Sequence, residues 1–169
     1  MKFELIHNIN FSIVADYIED DFDYYSRILL EFIEKKNSTN IYNDNLLELY
    51  NIVRRYKEES IPDIADNLDV HSLGRKLNDI YQFDFDDEDN IENYCAYVSL
   101  NCATWLFKKD KRYYILVTPM YQMQSEDEDD YEDFAQNYSD IFCSEISVEE
   151  LELLAYKIEE LYKKLMMSE

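Results

Sequence analysis

Carboxylates are the residues in this sequence whose number and spacing could support chemistry. The chain of 169 residues contains 38 aspartate and glutamate residues and has a formal net charge of −22. Paired carboxylates act as acid and base in glycosidases, and they bind the metal ions of some nucleases. Because so many acidic residues produce accidental pairs, spacing alone does not indicate a catalytic pair. We therefore expect no catalytic activity and keep a carboxylate- or metal-dependent enzyme as an alternative.

The acidic run from Asp84 to Asn90 superficially resembles the start of a calcium-binding loop. An EF-hand requires glycine at its sixth position and a bidentate glutamate at its twelfth. Counted from Asp84, these positions hold Asp89 and Cys95, so the motif fails. Weak cation binding at this run would screen its charge without being the function. We expect neither a metal site nor a cofactor.

Other catalytic and ligand-binding motifs lack the residues that they need. Phosphate-binding loops and dinucleotide fingerprints need several glycines, and Gly74 is the only glycine in the chain. His7 and His71 have no second histidine or cysteine at metal-ligand spacing. The three cysteines form no CxxC pair, which indicates neither a disulfide framework nor a zinc site. A cysteine–histidine nucleophile pair, whose members would meet only in space, has no local support.

The net charge predicts the kind of partner. A strongly acidic protein repels nucleic acid and anionic membranes, and it attracts basic proteins, whose association it can accelerate roughly 10- to 1,000-fold. General solubility and adaptation to high salt are alternative explanations of the charge. Clustering of the acidic residues, together with the retained lysines, favours a binding role. Reduced thiols, the lack of a signal peptide and the lack of a long apolar run lead us to expect a cytoplasmic location.

Two dense acidic clusters are the candidate binding sites. The first lies at 84–92 and the second at 126–134, and we expect both in loops, where binding residues concentrate. Both clusters contain aromatic residues, and tyrosine beside carboxylate combines apolar area with hydrogen bonding. Solvated loops without a partner are the alternative interpretation. The candidate partner-binding residues are Asp84, Asp86, Asp87, Glu88, Asp89, Glu126, Asp127, Glu128, Asp129, Asp130 and Tyr131.

The first element predicted from the hydrophobic pattern is a long helix. Apolar residues from Phe11 to Phe32 are spaced by three and four, which predicts an amphipathic helix that ends near residue 36. Its polar face would carry carboxylates about 5–6 Å apart, and such a row could imitate the phosphates of a nucleic acid. The row consists of Asp16, Glu19, Asp20 and Asp23.

Further elements follow along the chain. We predict a strand at 3–9 and helices at 45–58 and 70–81, with a short helical turn over 62–68 between them. Aromatic and branched residues at 94–107 and 112–120 predict a β-hairpin, in which Cys95 and Cys102 would point to opposite faces of one strand. Ser147 and Glu150 form a capping box that begins a long helix over about 147–167.

This order of elements predicts the fold class. We expect an α+β fold that is mainly helical, with a small antiparallel β-hairpin or sheet at about residues 94–120 and the long C-terminal helix at about 147–167. The length fits a single domain over 1–169.

Charge, clusters and the missing motifs together predict an acidic, non-enzymatic inhibitor that binds and blocks a basic nucleic-acid-processing protein. An immunity protein that neutralises a bacterial toxin is the setting we favour, because the well-patterned elements indicate a sizeable folded domain. A phage-encoded anti-CRISPR or DNA-mimic inhibitor of host defence is the second setting. A regulatory or scaffold subunit with an exposed apolar patch is a further alternative. We expect no direct contact with nucleic acid or membrane, and the sequence indicates no oligomeric state.

Overall fold

The computed structural model describes residues 1–17, 26–35, 37–122 and 129–166. Within these ranges it has eight β-strands, arranged in two four-stranded antiparallel sheets, and four α-helices. The fold class predicted from the sequence, mainly helical with one small sheet, is therefore wrong. The chain divides into two compact units, unit 1 with residues 1–61 and 146–169 and unit 2 with residues 62–145. The single domain over 1–169 stays a prediction.

Unit 1 contains the first sheet and two helices. Its strands pair in chain order and are β1 (Lys2–His7), β2 (Ser12–Tyr17), β3 (Arg27–Glu34) and β4 (Asn37–Asn45). The helix α1 (Leu46–Glu58) follows β4 at once, and the helix α4 (Val148–Met166) packs against α1 and β1. These elements confirm the strand predicted at 3–9 and the helices predicted at 45–58 and 147–167.

Both helices of unit 1 begin at recognisable caps. The side chain of Asn45 accepts a hydrogen bond from the Glu48 backbone N–H at 2.9 Å. At α4, the Ser147 hydroxyl accepts from the Glu150 N–H at 3.1 Å, and the Glu150 carboxylate accepts from the Ser147 N–H at 2.8 Å. The capping box predicted at Ser147 is thus confirmed, and it satisfies backbone donors that the first turn of a helix leaves free.

The long helix predicted from Phe11 to about residue 36 is wrong, because β2 and β3 occupy much of that range. Every second residue of these strands is buried, as expected when one face of a sheet covers a core. Val14 and Leu29, which belonged to the predicted helical stripe, lie on the opposite face and are only half-buried. The alternating buried residues are Ile13, Ala15, Tyr17, Ile28, Leu30 and Phe32.

The predicted carboxylate row fails for the same reason. Asp16 lies on β2, where it is paired in register with Leu29 of β3, and no helix carries it. Glu19, Asp20 and Asp23 lie outside the described residues.

Unit 2 contains the second sheet and two helices. Its strands are β5 (Cys95–Val98), β6 (Cys102–Lys109), β7 (Arg112–Pro119) and β8 (Phe142–Ile146), again paired in chain order. The helix α2 (Leu73–Phe83) follows a 3₁₀ turn at Val70–Ser72, and α3 (Asp129–Gln136) precedes β8. The helix predicted at 70–81 is confirmed. The core of this unit includes the fully buried side chains of Leu73, Leu77, Ile91, Trp105 and Leu116.

The predicted hairpin is partly confirmed. Strands β6 and β7 form it, with Asp110 and Lys111 in the turn at positive φ angles of 50° and 66°. The first predicted strand, however, is interrupted at residues 99–101, where the Ser99 hydroxyl accepts a hydrogen bond from the Cys102 N–H at 3.2 Å. Cys95 and Cys102 therefore lie on neighbouring antiparallel strands, not on one strand as predicted.

The helical turn predicted over 62–68 is wrong. This segment lies beside the end of β6 as a short bridge between Asp63 and Lys108. The Ile64 N–H donates to the Lys108 carbonyl, and the Lys108 N–H donates to the Pro62 carbonyl, both at 2.8 Å. Proline lacks an N–H, but the Pro62 carbonyl still accepts a hydrogen bond, so this segment extends the sheet. In a helix, the segment would leave the Lys108 N–H and carbonyl without these partners.

Candidate functional site

The C-terminal end of α2 presents aromatic side chains to solvent. Tyr81, Phe83 and Phe85 are 54%, 51% and 59% exposed, although each carries a large apolar ring. Asp84 ends the helix in the left-handed conformation with φ 53°, and its N–H donates to the Ile80 carbonyl. This reversal brings the rings of Phe83 and Phe85 to a centroid distance of 5.4 Å. Exposed rings in contact form an apolar patch at the start of the first acidic cluster.

Two carboxylates of the first cluster maintain the local structure. Asp87 accepts the Ile91 N–H at 2.8 Å with one oxygen and the Glu92 N–H at 3.0 Å with the other. Asn90 is the N-cap residue of the 3₁₀ helix at Ile91–Tyr94 and makes no side-chain cap hydrogen bond, so Asp87 supplies the acceptors for the first N–H groups of this helix. Asp89 forms an ion pair with Lys76 of α2, with 2.5 Å between the carboxylate oxygen and Nζ. Asp87 and Asp89 therefore both make contacts within the protein, and those of Asp87 are to the backbone.

Three of the other four carboxylates of this cluster have no such role. Asp84, Asp86 and Glu88 are exposed, and their side chains make no hydrogen bond or ion pair with any residue that the structure describes. Three negative charges thus lie beside the exposed rings without a partner among the described residues. These three carboxylates can bind an external cation without losing a contact to any described residue.

The structure brings part of the second acidic cluster to the same place. Tyr131 of α3 is 5% exposed, and its hydroxyl donates to the Asp79 carboxylate of α2 at 2.5 Å. Its ring meets Phe83 edge-on at a centroid distance of 5.2 Å. Burial, followed by the nearby Asp79 carboxylate, raises the pKa of Tyr131. Tyr131 therefore attaches α3 to α2, and it acts as an anchor within unit 2 instead of a free contact residue.

The aromatic contacts continue along α3. Tyr121 lies edge-on to Tyr131 at 5.0 Å, and Phe134 lies 5.5 Å from Tyr121 between ring centroids. Asp130 lines a groove together with Tyr121 and Phe134. We call the combined surface, which consists of Tyr81, the segment 83–90, Tyr121 and the segment 130–134, the acidic–aromatic surface.

The remaining predicted residues of the second cluster have mixed outcomes. Glu126, Asp127 and Glu128 lie outside the described residues. Asp129 begins α3, so the prediction of a loop is wrong from that residue to 134.

Sequence reasoning missed Phe83, Phe85 and Asp79, although the acid-flanked aromatics at 81–85 were a usable signal.

Other titratable side chains lie elsewhere in unit 2. The His71 ring and the Tyr138 hydroxyl both contact the carboxylate of Asp140, the latter at 3.2 Å. Burial, and then the charge of Asp140, raises the pKa of the Cys143 thiol. Burial likewise raises the pKa of the Cys102 thiol. Because the thiolate is the nucleophile, the raised pKa makes the fully buried Cys102 a poor nucleophile.

Neither a group of metal ligands nor a membrane-spanning helix occurs among the described residues. The described part of the chain holds no group of three or more histidine, cysteine, aspartate or glutamate side chains placed to bind a metal ion. In the same ranges, no helix has the length and apolar character needed to cross a membrane. No family model, curated protein or solved structure matches this chain.

Proposed function

We propose that this protein is a non-enzymatic inhibitor that binds and blocks a basic nucleic-acid-processing protein through the acidic–aromatic surface. An immunity protein that neutralises a bacterial toxin is the setting that we propose first. The observation that carries the proposal is the exposure of Phe83 and Phe85 beside the carboxylates of Asp84, Asp86 and Glu88, which have no partner among the described residues.

Exposed aromatic rings and unpaired carboxylates are useful to a binding protein in different ways. Burying an aromatic ring against a partner contributes apolar area, and aromatic residues are enriched at the centres of interfaces. Unpaired carboxylates draw a basic partner toward the surface and fix its orientation. The ring of Phe83 already packs against Tyr131, so it loses less conformational entropy when a partner binds. A surface with both features supports recognition of a protein that carries cationic side chains on an apolar face.

The acidic–aromatic surface also supports competition with a nucleic acid. A protein that processes nucleic acid presents cationic side chains to the phosphates, and its affinity for the nucleic acid falls as the salt concentration rises. Carboxylates in the segment 84–88 offer negative charges to the same cations without a sugar or a scissile bond. Occupancy of such a site by this protein would exclude the substrate, which is inhibition without chemistry.

A capture experiment with charge-matched variants tests this proposal. The surface variant is Asp86→Asn/Glu88→Gln, and the control is Asp66→Asn/Glu152→Gln, which removes two exposed carboxylates that have no partner among the described residues. Wild type and control should retain the same basic protein from a source-cell lysate at low salt, and the surface variant should retain much less. The captured protein should lose its nuclease or nucleic-acid-binding activity on addition of wild type.

Three results would contradict the proposal. They are capture of no basic protein by wild type, equal capture by the surface variant and the control, and a captured protein that stays fully active when saturated. If the captured protein is a host-defence effector and not a toxin, the proposed setting changes to a phage-encoded inhibitor while the mechanism stands.

A further inference from the structure

A groove of about 390 Å³ lies between α2 and the loop that follows it. Its lining combines apolar side chains, among them Ile80 and Phe85, with carboxylates that include Asp86 and Glu88. Long cationic side chains have the same division, because an apolar stem carries a charged head. The groove therefore has the chemistry to hold the stem and the head of one such side chain.

The protein already holds one cation in this groove. Lys76 lines it, and its ammonium group pairs with Asp89 at 2.5 Å. Both side chains keep about two-fifths of their surface exposed, 40% for Lys76 and 41% for Asp89, so solvent screens the pair. Exposed ion pairs of this kind contribute little to stability, so a competing cation can replace Lys76 at low cost.

We propose that this groove is a receptor for an arginine side chain of the partner, with the guanidinium stacked on Phe85 and paired with Asp86 or Asp89 in place of Lys76. This inference rests on the proposed function, since it names the chemical group by which a basic partner is recognised. Charge complementarity supports the assignment, because the carboxylates of Asp86 and Glu88 are unpaired among the described residues.

Arginine fits the groove better than lysine for two reasons. A guanidinium is planar, so it stacks on an aromatic ring while its N–H groups donate to carboxylates at its edge. An ammonium is strongly hydrated and has no flat face to lay on Phe85. The ring of Phe85 is more than half exposed, which leaves it open to such stacking. The groove should therefore discriminate between two side chains of equal charge.

The test compares blocked hexa-arginine and hexa-lysine peptides, which carry equal charge. Each is titrated into the full-length protein labelled with ¹⁵N, and binding is followed at the backbone amides of residues 79–91. Hexa-arginine should bind at these amides roughly two- to five-fold more tightly than hexa-lysine, as a single exposed cation–π contact implies. Phe85→Leu keeps an apolar side chain, and it should weaken hexa-arginine binding until the two peptides bind with about equal affinity. Tyr156→Leu, at an exposed aromatic residue of α4, should keep the preference.

A second pair of variants tests the replacement of Lys76. Lys76→Met and Lys109→Met remove one positive charge each, and Lys109 has no partner among the described side chains. If arginine takes the place of Lys76, Lys76→Met should tighten hexa-arginine binding at residues 79–91 more than Lys109→Met does. Equal effects of the two variants would overturn the replacement of Lys76.

The outcomes separate this inference from the proposed function. Equal affinity for the two peptides at residues 79–91, or an arginine preference that survives Phe85→Leu, would overturn the arginine receptor. The capture experiment with the surface variant succeeds or fails independently, because it depends on the carboxylates and not on the choice between arginine and lysine. If a captured basic partner binds Phe85→Leu as tightly as wild type, the inhibitor proposal stands and the arginine receptor is overturned.

Discussion

Replacing Asp87 should destabilise unit 2, whereas replacing its neighbour Asp86 should not. The Asp87 carboxylate accepts two backbone hydrogen bonds, at 2.8 Å from Ile91 and at 3.0 Å from Glu92. Loss of an N-cap side chain typically costs about 0.5–2 kcal/mol, and hydrogen bonds to a charged group lie toward the upper part of that range. Because Asp87 is half-buried, water replaces part of the loss. We therefore expect Asp87→Ala to lower the free energy of unfolding by about 1–2 kcal/mol.

Trp105 makes this prediction easy to measure. It is the only tryptophan in the chain and is fully buried in unit 2, so its fluorescence reports the unfolding of that unit. With a urea m-value of about 2 kcal/mol/M, a loss of 1–2 kcal/mol moves the midpoint down by roughly 0.5–1 M. Asp87→Asn keeps one acceptor oxygen and should fall between wild type and Asp87→Ala. An unchanged midpoint for Asp87→Ala, or an equal drop for Asp86→Ala, would refute the division of the cluster into structural and available carboxylates.

Three further predictions concern packing, a buried hydroxyl and a cap. Gly74→Ala places a Cβ against the Tyr138 hydroxyl and the Thr118 side chain, closer than van der Waals contact allows, so the variant should lose about 1–2 kcal/mol of stability by Trp105 fluorescence in spite of the helix propensity of alanine; a rise in the midpoint would contradict this. Tyr131→Phe removes the hydrogen bond to Asp79 and should cost about 0.5–1.5 kcal/mol near neutral pH. Because the folded-state pKa of Tyr131 is raised, its hydroxyl contributes fully to stability below about pH 10, and this contribution declines as the pH rises above that value. The difference in stability between wild type and Tyr131→Phe should therefore shrink above about pH 10, and a difference that is the same at every pH would contradict the stabilising hydrogen bond. Ser147→Ala should cost unit 1 about 1 kcal/mol by far-UV circular dichroism, and no change would mean that the capping box is not stabilising.

The elements that the sequence predicts correctly are those specified by neighbours in the chain. The capping box of Ser147 and Glu150 closes over three residues, and the hairpin of β6 and β7 turns between adjacent segments. Such signals consist of residues that lie close together in the sequence.

The region from Phe11 to Phe32 shows why the rest was not predictable. Consecutive apolar residues, such as Ile13 with Val14 and Leu29 with Leu30, fit a helical period and a strand period equally well. The choice is made by β1 and β4, which pair with β2 and β3 and satisfy their backbone groups. Tertiary pairing thus overrides the local pattern.

The candidate site was predictable only in its composition. The density of acidic residues indicates where a cation would be attracted, but it does not show that Asp87 caps a helix or that Asp89 is paired with Lys76. The contact of Phe83 with Tyr131 joins segments that are distant in the sequence. Distances between side chains, and not their types, separate the available carboxylates from the structural ones.

The central claim is that a basic partner binds at the acidic–aromatic surface, and the rate of association tests it most directly. The captured partner is mixed with wild type, with Asp86→Asn/Glu88→Gln and with Asp66→Asn/Glu152→Gln in a stopped-flow instrument over a series of salt concentrations. We predict that wild type and control associate at the same rate, and that the surface variant associates several-fold more slowly at low salt with a weaker dependence on salt. Equal rates for all three proteins would contradict the claim, since the charge of the whole chain and not this surface would then attract the partner.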